Sequence, residues 1–94
     1  MRIRYTPNAR DGIVEIHEYI AHENPQAARR VIHSIRQQIR LLADYPDIGR
    51  PGRCEGTREL TINPYPYIVA YRIDADEVQI LAVVHTSRRW PESL

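Results

Sequence analysis

Lysine is absent from this 94-residue sequence, and all thirteen of its cationic side chains are arginine. The planar guanidinium fork suits phosphates, carboxylates and aromatic faces; a GC-rich genome, which drifts toward arginine codons, accounts for the bias equally well. The twelve acidic residues leave a net charge of only +1, which excludes a bulk polycation. Cysteine occurs once, at Cys54. That excludes an internal disulfide and any zinc site built from several cysteines, and it fits a reducing cytoplasm. No apolar run approaches the roughly 20 residues that a membrane span needs. The opening MRIRYTPNAR lacks the apolar middle of a signal peptide. A soluble cytoplasmic protein is therefore expected.

Several chemical signatures are missing too. Gly49, Gly52 and Gly56 stand among prolines and arginines, with no strand leading in and no lysine, so they make no phosphate loop. Ser34 and Ser87 lack the flanking glycines of a nucleophile elbow. HEYIAH, residues 17–22, has one residue too many for a zinc-protease helix. Five residues turn a helix by about 500°, which sets His17 and His22 roughly 140° apart around the axis. His33 falls between apolar stripe positions as a boundary residue, and Cys54 has no imidazole beside it in the sequence. Neither a metal nor a cofactor is expected.

One domain spanning 1–94 is expected, and a small one. A chain this short supports one core layer between a sheet and a helical pair, so function should sit on the surface. RIRYT (2–6) alternates in the manner of a strand. Thr6-Pro7 reads as a helix entry, with Ala9, Ile13, Ile16 and Ile20 on one face. Asn24-Pro25 stops that helix and opens a second, in which Ala28, Val31, Ile32, Ile35, Ile39 and Leu42 form an apolar stripe as far as Ala43. The short connection makes an antiparallel helical hairpin. Residues 44–56 read as a loop. Strands follow at 57–62, 67–73 and 78–85; residues 74–77 form a tight turn and the prolines of NPYP (63–66) interrupt pairing. The expected class is α+β in the order β-α-α-β-β-β, a helical hairpin on a small, mainly antiparallel sheet.

Arg58, Tyr67, Arg72, His85, Arg88, Arg89 and Trp90 remain as a possible constellation. The turn at 74–77 should bring Tyr67 beside His85, giving a rim of rings and guanidinium groups. Such a rim suits nucleic acid or an aromatic-anchored protein interface. Equally, Trp90 could fold back over the core while Arg88 and Arg89 stay solvated.

Helix one (Ala9, Ile13, Ile16, Tyr19, Ile20), LLADYPDIGRPG (41–52), TRELTINPYPYIVAYRI (57–73) and VQILAVVHTSRRWP (78–91) together resemble the ParE/RelE toxin superfamily of type II toxin–antitoxin systems. The resemblance implies two activities. RelE-like members cleave messenger RNA in the ribosomal A site; ParE-like members poison DNA gyrase. RelE-like chains carry an arginine where this one has Tyr67. Here the arginine is Arg72, five residues on and on the opposite face of the strand. The HTSRRWP ending and the amphipathic hairpin look ParE-like. The resemblance thus implies a toxin without catalytic residues that binds gyrase through Arg58, Tyr67, His85, Arg88, Arg89 and Trp90. The alternative is an endoribonuclease acting on the ribosome and its mRNA, with His85 as general base and Arg72 or Arg88 stabilising phosphate charge. A third possibility is a relative that binds its partner but has lost toxicity. All imply a cognate antitoxin whose C-terminal segment folds onto the toxin, at the edges of the sheet or beside the hairpin.

Overall fold

A computed structural model describes residues 1–87. Strand β1 is Arg2–Tyr5, helix α1 Pro7–Ala21 and helix α2 Pro25–Arg40, with a 3-10 turn at Leu41–Ala43. Strands β2 (Arg50–Pro51), β3 (Arg58–Ile62), β4 (Tyr67–Asp74) and β5 (Glu77–His85) complete one sheet in the order β1-β5-β4-β3-β2. β1 runs parallel to β5, and every other pairing is antiparallel. The expected class and element order therefore hold. The one addition is β2, two residues inside the segment that reads as loop, which pair Arg50 with Glu59 and Pro51 with Arg58.

Local chemistry sets the helix starts. Thr6 accepts from the Ala9 amide at 3.2 Å and Asn24 from the Ala27 amide at 3.0 Å. Each satisfies a donor that the first turn leaves unpaired. Pro7 and Pro25 take the position where a missing N–H costs nothing. The Thr6 cap also locks α1 to β5. Its hydroxyl donates to the Ile80 carbonyl at 2.8 Å, and the Asn8 amide donates to that of Leu81 at 2.9 Å. These contacts fall at a bulge, where Ala70 pairs with Ala82 but Tyr71 pairs with Ile80, leaving Leu81 unopposed. A carbonyl displaced from the ladder is thus satisfied by the helix entry.

The core lies between the hairpin and one face of the sheet. Val31, Ile35, Ile39 and Leu42 from the second helical segment meet Ile62, Val69, Tyr71, Val78, Ile80 and Val83. Each fully buried isoleucine contributes about 2 kcal/mol by leaving water. Gly12 lets α1 lie close on β5, because a Cβ there would stand 2.7 Å from the Val83 carbonyl oxygen. The loop at 44–56 is held from below by Tyr71, whose buried hydroxyl accepts from the Gly49 amide at 2.9 Å and donates to the Pro46 carbonyl at 2.7 Å.

Candidate functional site

The residues singled out in the sequence separate into two groups along the strands. Tyr67 pairs with His85, as the turn at 74–77 requires, and the two rings meet edge to face at 5.3 Å. Arg72 pairs with Gln79 and Arg58 with Tyr71. At about 3.3 Å per residue these positions lie roughly 13–16 Å from Tyr67. The single rim expected to join Arg58 and Arg72 to His85 therefore does not form, because both arginines stand toward the far end of strand pairs whose near end carries the imidazole. Arg88, Arg89 and Trp90 lie outside the described residues.

Both displaced arginines are engaged. Arg58 donates to the Gly49 carbonyl at 2.8 Å and the Asp47 carbonyl at 3.3 Å. Arg72 donates to Gln79 at 2.8 Å on the outer face; the Gln79 amide donates to Glu77 at 2.8 Å, and Glu77 accepts from Arg4 at 3.0 Å. The Gln79 bond, then the Arg4 contacts, hold the Glu77 carboxyl below the usual carboxylate range. Two more arginines serve the buried carboxylate of Glu59, which accepts from Arg50 at 3.0 Å and from the Arg53 backbone amide at 2.8 Å. Neither this carboxylate nor the Tyr71 clamp was found by sequence reasoning. The available signals were an acid inside an alternating strand and a glycine followed by an arginine. Burial pushes the Tyr71 hydroxyl above its usual range, opposed by the Gly49 hydrogen bond and the Arg58 charge.

The other end is open. A cleft of about 250 Å³ lies between the second half of α1 and the end of β5, lined by Gly12, Glu15, Ile16, Tyr19, Tyr67, Val83, Val84, His85 and Ser87. Tyr67 contributes a buried wall, 6% exposed, so little of its ring is available to a partner. Tyr19 is the opposite, 79% exposed at the rim. The His85 ring orientation has a chemical consequence. The Ser87 amide donates to its Nδ1 at 3.0 Å, with the Ser87 hydroxyl 2.7 Å from the same nitrogen. A ring nitrogen that accepts an N–H carries no proton, so the neutral imidazole is protonated on Nε2. It presents a hydrogen-bond donor, and its free lone pair is already used.

His17, His22 and His33 are exposed, and His33 contacts Gln37 at 3.3 Å. Among the described residues no group of three or more His, Cys, Asp or Glu side chains is placed to hold a metal ion, and no helix is long and apolar enough to cross a membrane.

Similar proteins carry one theme. The profile of a family described as the ParE toxin of the type II toxin–antitoxin system parDE matches residues 3–90. A Sinorhizobium fredii protein named as toxin Y4kP is 46% identical over 93 residues, covering 99% of this chain and 96% of that one. Among solved structures, the chromosomal ParDE system of P. aeruginosa superposes with a TM-score of 0.83 at 26% identity, over 93% of this chain and 97% of that one. The RelBE2 toxin–antitoxin complex of Mycobacterium tuberculosis superposes with a TM-score of 0.59, also at 26% identity, over 89% and 88%.

Proposed function

Since the chain belongs to the ParE toxin family of type II toxin–antitoxin systems, and so works with a cognate antitoxin, we propose that it poisons DNA gyrase by binding and carries out no chemistry of its own. The observation that carries the reading is the separation, among the described residues, of Arg72 from His85. An interferase of the expected kind needs His85 as a base with Arg72 or Arg88 at the phosphate. Arg72 is committed to Gln79 at the far end of β4, away from His85, whose Nδ1 lone pair accepts from the Ser87 amide. A base must offer a lone pair within reach of the proton it takes. The higher TM-score to the ParDE system than to the RelBE2 complex points the same way.

Gyrase recognition then falls to Arg88, Arg89 and Trp90, which follow His85 closely in the sequence. Arginine and tryptophan are the side chains that most often dominate protein interfaces. The test is induction of the chain without its antitoxin, followed by assays on purified components. Gyrase poisoning predicts filamented cells, DNA damage and supercoiled plasmid cleaved by gyrase. The triple change Arg88→Ala, Arg89→Ala, Trp90→Ala weakens that cleavage, whereas His85→Ala retains it. Messages cut in the ribosomal A site by the chain, and lost in His85→Ala, would overturn the reading in favour of the interferase.

A further inference from the structure

The two helices of the hairpin turn opposite charges outward. On α1, Asp11, Glu15 and Glu18 are exposed, spaced four and then three residues apart. On α2, Arg29, His33, Arg36 and Arg40 are exposed, at spacings of four, three and four. At about 100° per residue these four positions fall within roughly 60° of one another around the axis. They make one straight row, about 16 Å long at 1.5 Å per residue. Gln26, Arg30 and Gln37, also exposed, form a second polar row beside it.

The arginine row has no counterion on its own helix, since α2 contains neither Asp nor Glu. Among the described residues no ion pair includes Arg29, Arg30, Arg36 or Arg40, whereas Arg2, Arg4, Arg50, Arg53 and Arg58 each meet a carboxylate. The field of the row reaches the sheet. Burial raises the Tyr5 hydroxyl, and the charges of Arg36 and Arg40 oppose that rise. Composition narrows what the row fits. No large apolar side chain within Pro25–Arg40 is exposed, and a docked helix needs apolar anchors. α2 has no Phe, Tyr or Trp, the rings on which single-stranded bases stack. Duplex DNA is a rigid partner with about one negative charge per 1.7 Å of axis, and Arg and Gln are among the side chains that bond its phosphate oxygens.

We propose that the outward row of α2, Arg29, His33, Arg36 and Arg40, binds duplex DNA along its phosphates without reading its sequence. The guanidinium groups replace condensed counterions, and the acidic row of α1 keeps the duplex off the other helix. The inference rests on α2 alone and requires neither gyrase nor an antitoxin.

The test is fluorescence anisotropy of a labelled duplex of about 16 base pairs with the full chain, in roughly 50 to 200 mM salt. Neutralising three phosphates gives log K a slope of about −2.7 against log salt, so affinity should fall about 40-fold over that range. Each of Arg29→Gln, Arg36→Gln and Arg40→Gln should flatten the slope by about 0.9, and the three together should abolish binding. Arg10→Gln removes the same charge from an exposed position of α1 and should leave the slope unchanged. Glutamine is close to arginine in helix propensity, so these exposed variants keep the fold, which circular dichroism checks. No binding at the lowest salt, or a slope that the three variants leave unchanged, would overturn the proposal. So would a polyglutamate peptide that binds as tightly as the duplex, which assigns the row to an acidic protein. A free chain that dimerises, and that the triple variant makes monomeric, would overturn it too, because the row would then belong to the acidic face of α1 in a second copy. Gyrase is absent from every arm, so each of these outcomes leaves the gyrase assays above untouched.

Discussion

The two ends of the β3–β4–β5 sheet use similar residues to opposite purposes. At the turn end, Tyr71, Arg58 and Glu59 hold the 46–53 loop through hydrogen bonds of 2.7–3.0 Å to Gly49, Pro46, Arg50 and the Arg53 amide. At the other end, Tyr67 and His85 meet edge to face beside an open cleft, and the imidazole is anchored two residues away at Ser87. Residue type therefore does not announce role. A tyrosine and an arginine that look like recognition chemistry in the sequence are structural at one end, whereas the loosely held end carries the exposed surface. Substitutions at the turn end therefore cost stability, whereas replacing His85 at the cleft end costs little.

The largest effect belongs to Gly49→Ala. A Cβ there would stand 2.5 Å from the Tyr71 hydroxyl oxygen and 3.0 Å from the Glu59 carbonyl oxygen, the latter a backbone atom with little room to yield. Overpacking of this kind costs about 3 kcal/mol. For a domain of this size that lowers the midpoint of thermal unfolding by roughly 12–20 °C, which calorimetry reads directly. A loss below about 1 kcal/mol would mean that the loop is not pinned.

Next comes Tyr71→Phe, which leaves the buried Gly49 amide and the Pro46 carbonyl without their partner. The cost is about 2 kcal/mol in denaturant unfolding. It also carries a pH signature. The folded Tyr71 hydroxyl titrates above its ordinary 10.0, chiefly through burial. Its contribution is fully present below pH 10.0 and is lost as pH rises from there through the folded value, because the unfolded chain releases that proton first. Stability measured across the alkaline range should fall less steeply in the phenylalanine variant. Tyr5, also shifted upward by burial, retains its own share of the decline.

Ala75→Gly tests the same end with the opposite sign. The two-residue turn between Asp74 and Glu77 holds Ala75 at φ 53°, where an L side chain is crowded. Glycine relieves the crowding but frees the unfolded chain. The net expectation is a gain of about 1 kcal/mol, seen as a higher thermal midpoint.

Which parts were legible in the sequence follows from the range of the forces involved. The helix entries at Thr6-Pro7 and Asn24-Pro25, the stripe from Ala28 to Leu42 and the turn that sets Tyr67 against His85 depend on neighbours a few residues away. Periodicity and capping chemistry therefore expose them. The Leu81 bulge, the short β2 and the Glu59 and Tyr71 anchors depend on contacts across the sheet. Nothing in the word TRELTI shows that its glutamate turns inward to arginines six and nine residues earlier. Arg58 and Arg72 were misplaced for a related reason. Their residue type fits a recognition rim, but strand register, a property of the assembled sheet, puts them at the wrong end of it.

The smallest effect is expected at His85. It is half-buried, and the ring contact with Tyr67 is its main tie to the core. His85→Ala should therefore cost about 0.5 kcal/mol, several-fold less than Gly49→Ala or Tyr71→Phe. The imidazole itself offers a sharper measurement. Nitrogen NMR on ring-labelled protein at neutral pH should find the proton on Nε2, because the Ser87 amide occupies Nδ1 from 3.0 Å. Proton occupancy of Nδ1 in the neutral ring would free the Nε2 lone pair toward the cleft. The open end would then be equipped for proton transfer as well as for binding, and the division between an anchoring end and a recognition end would no longer describe it.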